Sequence, residues 1–505
     1  MPLTLSNEPL QAADVVRVAR GQTGFEIAPE ALRTVRETRG LLEAQIGSGD
    51  TYYGVNTGFG SLSSKRIEGE GLRQLQTNLI RSHAAGVGDP LPVEVVRAML
   101  VLLTASLTRG HSGVRVEVVG LLAQLLQSGV TPVVPELGSV GASGDLAPLA
   151  HAALVLLGEG EADYKGQRMP GGEALKRAGL TPIVLEAKEG LALINGTHLM
   201  AARFALLMDD LDRLFSAATL AAAMSIDACR ATDSFLDPRV YTARNQPGPT
   251  SIAAKIRAAL AGSQIIHDHR ANDPRVQDPY SFRCAAMVLG SCADTIDFAR
   301  ARLADEMNAV TDNPLIFAAA SGDGADIISA GNFHGMPLAI PMDSLAITIS
   351  HLAGISERRV YHMLSVFDPQ TNLNPYLSPQ PGLHSGLMIA QYTAAALCNE
   401  LVGLAMPASV ANISTSAGME DYNSFGPRSA AKAARGVELA RRVVAIELLC
   451  ACQAIDVHRP LKTGDALEAM HAKIRAKVPK LTEDRPPSPD IETIAQMIAD
   501  GELDL

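Results

Sequence analysis

Residues 141–149 read Gly-Ala-Ser-Gly-Asp-Leu-Ala-Pro-Leu, and the interpretation of the whole chain starts from this stretch. Its central triplet, Ala142-Ser143-Gly144, can close into a ring if the backbone bends sharply, because the Gly144 nitrogen can then attack the Ala142 carbonyl. Loss of two waters gives a methylidene-imidazolone, whose exocyclic carbon comes from Ser143 and is a strong electrophile. A side chain on residue 144 would block closure, so glycine is required there. The triplet therefore predicts a prosthetic group that the chain makes from its own residues.

The same stretch has plainer interpretations. Ala-Ser-Gly alone is typical of a turn, and Ser143 and Asp145 could cap the helix that the apolar run 146–157 predicts. Ser143 could also be the nucleophile of a serine hydrolase with Asp145 and His151, although the string does not match the Gly-x-Ser-x-Gly elbow. A non-enzymatic helical scaffold is a further alternative. Intact mass separates these possibilities, because only ring formation removes two waters.

The composition indicates a packed, mainly helical protein. The chain has 505 residues, of which 47% are hydrophobic and only 4% aromatic, with no Trp. Few aromatic residues among many Ala and Leu favour helices packed through small side chains. The net charge of −11 is spread along the chain, which argues against a nucleic-acid-binding surface. The six cysteines lie in apolar helical contexts and predict reduced, buried thiols.

The hydrophobic pattern divides the chain near residue 110. Residues 1–110 look mixed, with short elements between glycine-rich loops, whereas residues 111–505 look helical. Long helices are predicted over 114–126, 198–229, 251–261, 284–309, 339–364, 386–404 and 430–455. Helices this apolar belong in the centre of a bundle or in a subunit interface. We therefore predict a mainly α fold, in which a long central helical bundle carries the Ala-Ser-Gly site and a smaller mixed domain precedes it.

Other patterns are missing from the sequence. The first residues, Met-Pro-Leu-Thr-Leu, lack the basic and apolar regions of a secretory signal, and the run 386–398 is too short for a membrane span. We therefore expect a cytoplasmic protein without membrane contact. No phosphate-binding Gly-Lys-Ser/Thr occurs, and the loop 58–60 lacks the third glycine of a dinucleotide motif. His267 and His269 have no further ligand string. Neither a nucleotide nor a metal is expected.

Five further strings accompany residues 141–149. They are Tyr-Gly-Val-Asn-Thr-Gly-Phe-Gly at 53–60, Asn-Gly-Thr at 195–197, Gln-Asp-Pro-Tyr-Ser-Phe-Arg at 277–283, Asn-Ala-Val-Thr-Asp-Asn-Pro at 308–314 and Gly-Asn-Phe-His at 331–334. In this order, over most of the chain, the six strings resemble those of the aromatic amino acid ammonia-lyases. The resemblance implies a methylidene-imidazolone cofactor formed from Ala142, Ser143 and Gly144. It also implies a homotetramer whose active sites combine residues from more than one chain.

Elimination of ammonia from an α-amino acid needs an electrophile and a group that moves the β-proton. The ring derived from Ser143 supplies the electrophile, and Tyr53 and Tyr280 are the candidates for proton transfer. A free tyrosine has a pKa of about 10 and is a poor base unless nearby positive charge lowers that value. Arg283 lies three residues past Tyr280 and could supply this charge. Its planar guanidinium also suits a substrate carboxylate.

The resemblance further implies a pocket for a small amino acid substrate. Asn195 would bind the carboxylate or the imidazolone oxygen, Gln277 would lie in the site, and Phe333 would form a wall. His83 and Glu420 resemble the histidine-specific members, in which both would meet the substrate imidazole. A carboxylate accepts a hydrogen bond from an imidazole but is a costly neighbour for a phenyl ring. The expected reaction converts L-histidine to urocanate and ammonia, as in histidine catabolism. A phenylalanine or tyrosine ammonia-lyase, or an aminomutase, is the alternative.

Several positions depart from the pattern of the family. Phe282 stands where leucine is usual, Met336 where the histidine enzymes usually have glutamate, and His198 where glutamine is common. Met419 and Tyr422 flank the Glu-Asp pair in place of the usual glutamine and histidine. Because several of these positions are expected near the substrate, they bear on which side chain is recognised.

Overall fold

The computed structural model describes residues 2–6, 8–46, 52, 54–57, 67, 70–271, 273–320, 324–365 and 367–504, with only the backbone of Glu70. The described residues form nineteen α-helices and nine short β-strands. The mainly α class predicted from the sequence is therefore confirmed. Tyr53, one of the predicted catalytic residues, lies outside the described residues.

The chain divides into two compact units. The first comprises Met1–Leu206, Arg300–Met342 and Ala408–Ala431, and the second comprises Leu207–Ala299, Asp343–Pro407 and Lys432–Leu505. The predicted domain 1–110 falls wholly within the first unit, together with residues that the prediction assigned to the helical domain. The division at residue 110 stays a prediction.

The first unit combines short strands with helices. Its elements up to Ile194 are β1 (Leu3–Leu5), α1 (Ala12–Ala19), β2 (Phe25–Ile27), α2 (Pro29–Ile46), α3 (Glu70–His83), β3 (Val87–Pro90), α4 (Val93–Thr108), α5 (Val116–Ser128), β4 (Thr131–Pro132), β5 (Pro135–Leu137), α6 (Leu146–Leu156), β6 (Glu161–Tyr164), β7 (Gln167–Pro170), α7 (Gly171–Ala178) and α8 (Glu189–Ile194). The hairpin of β8 (Leu315–Ala318) and β9 (Ala325–Ile328) follows later in the chain.

Helix packing builds the core of the first unit, because its sheets are small. The strands pair as β1–β2, β3–β5, β4–β6–β7 and β8–β9, and only the first of these pairings is parallel. Helix α4 is buried on every side from Ala98 to Thr108 and packs against α1 and α5. Helix α6 packs against α3 and α8. The packing of α6 on α8 matters for the site, because the Ala-Ser-Gly triplet precedes α6 and the Asn-Gly-Thr string follows α8.

The long helices continue through the second unit. The remaining elements are α9 (His198–Ala228), α10 (Pro238–Arg244), α11 (Pro247–Ala259), α12 (Gln264–His269), α13 (Tyr280–Arg283), α14 (Ala285–Met307), α15 (Met336–Leu364), α16 (Met388–Leu404), α17 (Gly426–Val457), α18 (Asp465–Lys477) and α19 (Ser488–Ala499). Each long helix predicted from the hydrophobic pattern is present, with ends that differ by a few residues. Helix α9 is buried on every side from Ala217 to Ala228, and α17 is buried on every side from Val443 to Ile455.

A buried ion pair lies inside the second unit. Arg359 on α15 and Glu447 on α17 are both fully buried, and the Arg359 Nη2 donates to Glu447 at 2.8 Å. The hydroxyls of Ser225 and Ser356 donate to the same carboxylate at 2.7 and 2.5 Å. The Arg359 Nη1 also donates to the Ser281 carbonyl, at 3.4 Å. Hydrogen bonds therefore satisfy both charges, which a buried pair requires.

Two sequence expectations about apolar segments can be compared with this fold. All six cysteines are free; four are buried, but Cys284 and Cys398 are only half-buried, so full burial was predicted wrongly for these two. Among the described residues, one helix, Met336–Leu364, is long and apolar enough to cross a membrane by length and composition alone. Of its most apolar 18-residue stretch, 61% is buried inside the protein. Buried core helices also meet this criterion of length and composition, so the helix is only weak evidence for a membrane span.

Candidate active site

The Ala-Ser-Gly triplet lies in a bend immediately before α6. Gly141, which precedes the triplet, and Gly144, its last residue, have φ values of +70° and +76°, in the left-handed region that favours glycine. A Cβ on Gly144 would overlap the carbonyl group of Gly196, and a Cβ on Gly141 would overlap the Ser424 hydroxyl. Both the backbone conformation and the available space therefore exclude side chains at these two positions.

Two other segments of the first unit hold the triplet. Gly144 and Gly196 form an isolated parallel bridge, in which the Gly196 N–H donates to the Ser143 carbonyl at 3.1 Å. The Asp145 N–H donates to the Gly196 carbonyl at 2.7 Å. From the other segment, the Ser424 hydroxyl donates to the Gly141 carbonyl at 3.1 Å. The bend is thus hydrogen-bonded to the Asn-Gly-Thr string and to the residues that follow Glu420.

The Asp145 carboxylate is buried at the beginning of α9. Its Oδ2 accepts the backbone N–H groups of Leu199 and Met200 at 2.9 and 3.0 Å. Burial raises the pKa of Asp145 to about 7, because the loss of hydration outweighs these hydrogen bonds. Although Asp145 directly precedes α6, its side chain makes no cap hydrogen bond there. The capping interpretation of Asp145 is therefore wrong, and its carboxylate instead ties the triplet to α9.

Glu420 lies beside Ser143, although 277 positions separate them in the chain. The Ser143 hydroxyl donates to the Glu420 Oε1 at 3.4 Å. The other carboxylate oxygen, Oε2, accepts the Thr415 hydroxyl at 2.8 Å. The structure thus brings together the serine predicted to form the electrophile and the carboxylate predicted to meet the substrate side chain.

Asn195 directly precedes Gly196, which bridges to Gly144, and it is only 2% exposed. Its Nδ2 donates to the Asn313 carbonyl at 3.0 Å, whereas its Oδ1 is buried without a hydrogen-bond partner among the described residues. Asn313 is itself held by the carboxylate of Asp312, which forms a buried ion pair with Lys188. The Asn195 amide is therefore held in place by its Nδ2, and its Oδ1 has no partner among the described residues.

His83 and Phe333 also belong to the first unit, but no hydrogen bond in the described part of the chain joins either to Ser143. His83 ends α3, and its Nδ1–H donates to the Leu79 carbonyl at 2.9 Å, whereas its Nε2 makes no hydrogen bond to a described residue. Phe333 is half-buried and precedes His334.

His334 joins two loops of this region. The Met336 N–H donates to its Nδ1 at 3.3 Å, so the proton is on Nε2, which donates to the Tyr422 carbonyl at 3.0 Å. The turn that carries Phe333 is thereby linked to the segment that carries Glu420. Sequence reasoning missed this link, because the string 331–334 includes His334 but does not show that it contacts Tyr422, which lies 88 positions away.

His198 is one of the departures from the family pattern. It begins α9 and is 4% exposed, and neither ring nitrogen has a partner among the described residues. Burial lowers the pKa of His198 to about 4, so the ring is neutral near pH 7. Its ring lies against Gly196, where a Cβ would crowd the Cε1 of His198.

Gln277, Tyr280 and Arg283 belong to the second unit. Gln277 is exposed, and the Tyr280 side chain is 69% exposed. The Arg283 guanidinium carbon lies 4.3 Å from the centre of the Tyr280 ring, and its Nε donates to the Asp278 carbonyl at 2.9 Å. A positive charge therefore lies against the tyrosine ring, and the terminal nitrogens of Arg283 make no hydrogen bond to the part of the chain that the structure describes.

Packing within the second unit seats this string. Asp278 is buried, and its Oδ2 accepts the N–H and the hydroxyl of Thr232 at 3.0 and 2.6 Å. The Phe282 ring, which replaces the usual leucine, packs edge-on against His362 with centroids 5.1 Å apart. Phe282 is therefore a core residue of the second unit.

The serine-hydrolase alternative requires contacts that the described residues do not make. The His151 Nε2 accepts the Gly86 N–H at 3.0 Å, and the Asp145 carboxylate faces the beginning of α9. Neither side chain hydrogen-bonds Ser143, so the three residues form no catalytic triad. No group of three or more His, Cys, Asp or Glu side chains in the described ranges is placed to hold a metal ion.

Comparison with known proteins identifies the family. The family described as aromatic amino acid lyase matches residues 10–476. The chain belongs to this family. Its members depend on a methylidene-imidazolone group, which agrees with the triplet at the centre of the site.

Two curated relatives and two solved structures illustrate the similarity. The histidine ammonia-lyase of Anaeromyxobacter sp. (strain K) is 47% identical over 100% of this chain and 99% of its own length. The histidine ammonia-lyase of Myxococcus xanthus (strain DK1622) is 45% identical over 99% of this chain and 97% of its own length. The structure of histidine ammonia-lyase from Trypanosoma cruzi has a TM-score of 0.91 at 38% identity, covering 100% of this chain and 94% of that one. The structure of a tyrosine aminomutase from Streptomyces globisporus has a TM-score of 0.93 at 33% identity, and the match covers 100% of this chain and 98% of that one.

Proposed function

We propose that this chain eliminates ammonia from L-histidine to give trans-urocanate. The observation that carries the proposal is the position of the Glu420 carboxylate 3.4 Å from the Ser143 hydroxyl. A carboxylate at this place can accept an imidazole N–H from a substrate bound at the triplet, and it would be an unfavourable neighbour for a phenyl ring. Histidine ammonia-lyases at 44 to 47% identity over nearly the whole chain support the same substrate.

The electrophile of this reaction is a methylidene-imidazolone formed from Ala142, Ser143 and Gly144. The positive φ of Gly144 and the close approach of the Gly196 carbonyl fit this role, because both require a residue without a side chain. When formed, the group supplies an electrophilic carbon that activates the substrate for loss of ammonia. Around it, Asn195 offers its unpartnered Oδ1 to a donor such as the substrate ammonium group, and rotation of the amide would offer Nδ2 to a carboxylate.

Proton transfer and carboxylate binding fall to the two tyrosines and the arginine. Tyr280 or Tyr53 removes the β-proton, and the Arg283 guanidinium lies against the Tyr280 ring. The terminal nitrogens of Arg283 form a fork that suits the substrate carboxylate, with Gln277 as a neighbouring polar group. Glu420 and the Nε2 of His83 bind the substrate imidazole, and Phe333 forms a wall of the pocket.

The active protein is a homotetramer in which each site combines loops from three chains. Large apolar side chains exposed on α14, α15 and α16 support assembly, since such side chains favour burial in a contact. They are Phe298, Ile340, Ile347, Tyr361, Ile389, Tyr392 and Val402. The exposure of Tyr280 also supports a site that a second chain completes. Co-expression of inactive Tyr53→Phe and Ser143→Ala chains is expected to restore part of the activity in hybrid tetramers. A fully active monomer in light scattering would contradict the assembly.

Product analysis tests the reaction itself. The purified protein is incubated with L-histidine, L-phenylalanine or L-tyrosine, and products are identified by ultraviolet absorbance and mass. We expect urocanate and ammonia from histidine, and an intact mass two waters below the sequence mass. Ser143→Ala is expected to form no urocanate and to have its full sequence mass. A β-amino acid product would indicate an aminomutase, and turnover of phenylalanine or tyrosine alone would contradict histidine as the substrate.

The enzyme is also proposed to be cytoplasmic. Its recovery in the cytoplasmic fraction of its cells would support this localisation.

A further inference from the structure

The segment that carries Glu420 has an unusual backbone. Ser416, Ala417 and Gly418 follow one another with φ values of +49°, +52° and +88°. Two of these residues have side chains, for which the left-handed region is disfavoured. Such strain persists only where surrounding contacts determine the conformation, and it is concentrated at functional sites.

Thr415 and Glu420 close the base of this turn. The Thr415 N–H donates to the Glu420 carbonyl at 2.9 Å, and the Glu420 N–H donates to the Thr415 carbonyl at 3.3 Å. The Thr415 hydroxyl lies 2.8 Å from the Glu420 Oε2 and 3.4 Å from its carbonyl oxygen. Its shorter contact is therefore with the carboxylate, and it is closer to that group than the Ser143 hydroxyl.

Asn423 directs the Thr415 hydroxyl. Asn423 is fully buried, and its Nδ2 donates to the Ile413 carbonyl at 2.5 Å and to the Thr415 Oγ1 at 3.5 Å. The backbone of Asn423 pairs with the side-chain amide of Asn412, at 3.1 and 2.9 Å. Because Asn423 donates to the hydroxyl oxygen, the hydroxyl proton is left for Glu420.

We propose that Thr415 is a positioning residue for substrate selectivity. Its hydroxyl holds one oxygen of Glu420, so that the other oxygen, beside Ser143, faces the substrate imidazole. Without this bond the flexible glutamate side chain would have to be ordered at each binding event, which weakens binding. The inference rests on the proposed function, in which Glu420 reads the imidazole.

The test compares two replacements of similar size. Thr415→Val keeps the shape and removes the hydroxyl, whereas Thr415→Ser keeps the hydroxyl. Loss of a hydrogen bond to a charged group is expected to lower kcat/KM for L-histidine about tenfold to hundredfold in Thr415→Val. Thr415→Ser is expected to stay within about threefold of the original enzyme. Intact mass and the melting temperature of each variant show that the cofactor and the fold are retained.

A double-mutant cycle with Glu420→Gln separates positioning from a merely structural role. If Thr415 acts through Glu420, Thr415→Val costs less than about threefold in the Glu420→Gln background. An equal loss in both backgrounds, or an unchanged kcat/KM in Thr415→Val alone, would overturn the inference. A parent enzyme that forms no urocanate would instead contradict the proposed function, so the two failures are distinguishable.

Discussion

Gly144 and Gly196 face each other across an isolated parallel bridge, with the Gly196 carbonyl in the space that a Cβ on Gly144 would occupy. The bridge joins two of the six strings by which the family is recognised. It explains why the first string needs a glycine at this point, since a Cβ on Gly144 would overlap the Gly196 carbonyl group. A Cβ on Gly196 would instead meet the Thr311 hydroxyl and the His198 ring.

Gly144→Ala is expected to abolish formation of the cofactor. The new Cβ would meet the Gly196 carbonyl, and alanine at a φ of +76° adds strain of about 1–2 kcal/mol. Intact mass should then equal the full sequence mass, and urocanate formation should be lost. Gly120→Ala is the control, because Gly120 lies within α5 with no atom near its Cβ position, and it should remain fully active. An active Gly144→Ala enzyme would contradict the assignment of the triplet.

Arg283→Ala is expected to weaken transition-state binding by roughly 1.5–3 kcal/mol, because a charge-assisted bond to the substrate carboxylate is lost. The measurement is kcat/KM for L-histidine. Histamine, which lacks the carboxylate, serves as the comparison ligand, and its inhibition constant should change little. If Arg283→Ala weakened histamine binding as much as it lowered kcat/KM for L-histidine, Arg283 would not be the group that binds the carboxylate.

His83→Leu and Glu420→Gln are expected to reduce turnover of histidine much more than any turnover of phenylalanine. A polar site rejects an analogue that leaves its groups unpaired, by up to about 10⁴-fold, and removing those groups removes the preference. The measurement is the ratio of kcat/KM for the two substrates in each variant. Parallel losses on both substrates would count against this assignment of the imidazole site.

The stability contributed by Asp145 is expected to fall as the pH rises. Burial raises the folded-state pKa from 3.8 to about 7, so the neutral form is favoured in the folded protein. The contribution is complete below the unfolded pKa and is lost between pH 4 and 7, with a total on the order of 4 kcal/mol. Unfolding of the parent and of Asp145→Asn is compared across this range. A constant difference between the two proteins would show that the Asp145 pKa is not raised.

Glu447→Gln is expected to destabilise the protein by about 3–5 kcal/mol, because it leaves the buried charge of Arg359 without its counter-ion. Joint replacement of both residues, Arg359→Met with Glu447→Leu, should recover most of this loss. The matched control is Glu37→Gln, which removes the exposed partner of Arg33 and should cost less than about 1 kcal/mol. Chemical unfolding measures all three, and a Glu447→Gln protein as stable as the control would contradict the prediction.

Much of the fold was predictable because its signals are local. The period of the apolar residues predicted α9 and α14–α17 to within a few residues, since a helix is formed by neighbours three and four positions apart. The role of Asp145 was not predictable in this way. Its position before α6 indicated a cap of that helix. Tertiary packing instead places the beginning of α9 next to its carboxylate, which accepts hydrogen bonds from two backbone N–H groups there. The link made by His334 had no local signal at all.

The sequence by itself determined the family of this protein and indicated the chemistry expected at the triplet. Ring closure depends on three adjacent small residues, and the family is carried by short strings, so both can be read without a structure. Only the tertiary structure decided that Glu420 lies beside Ser143 and that Thr415 holds it, because contacts between distant positions arise from the packing of helices and turns. Side-chain periodicity carries no information about such contacts, since it reports which face of a helix is buried and not what that face meets.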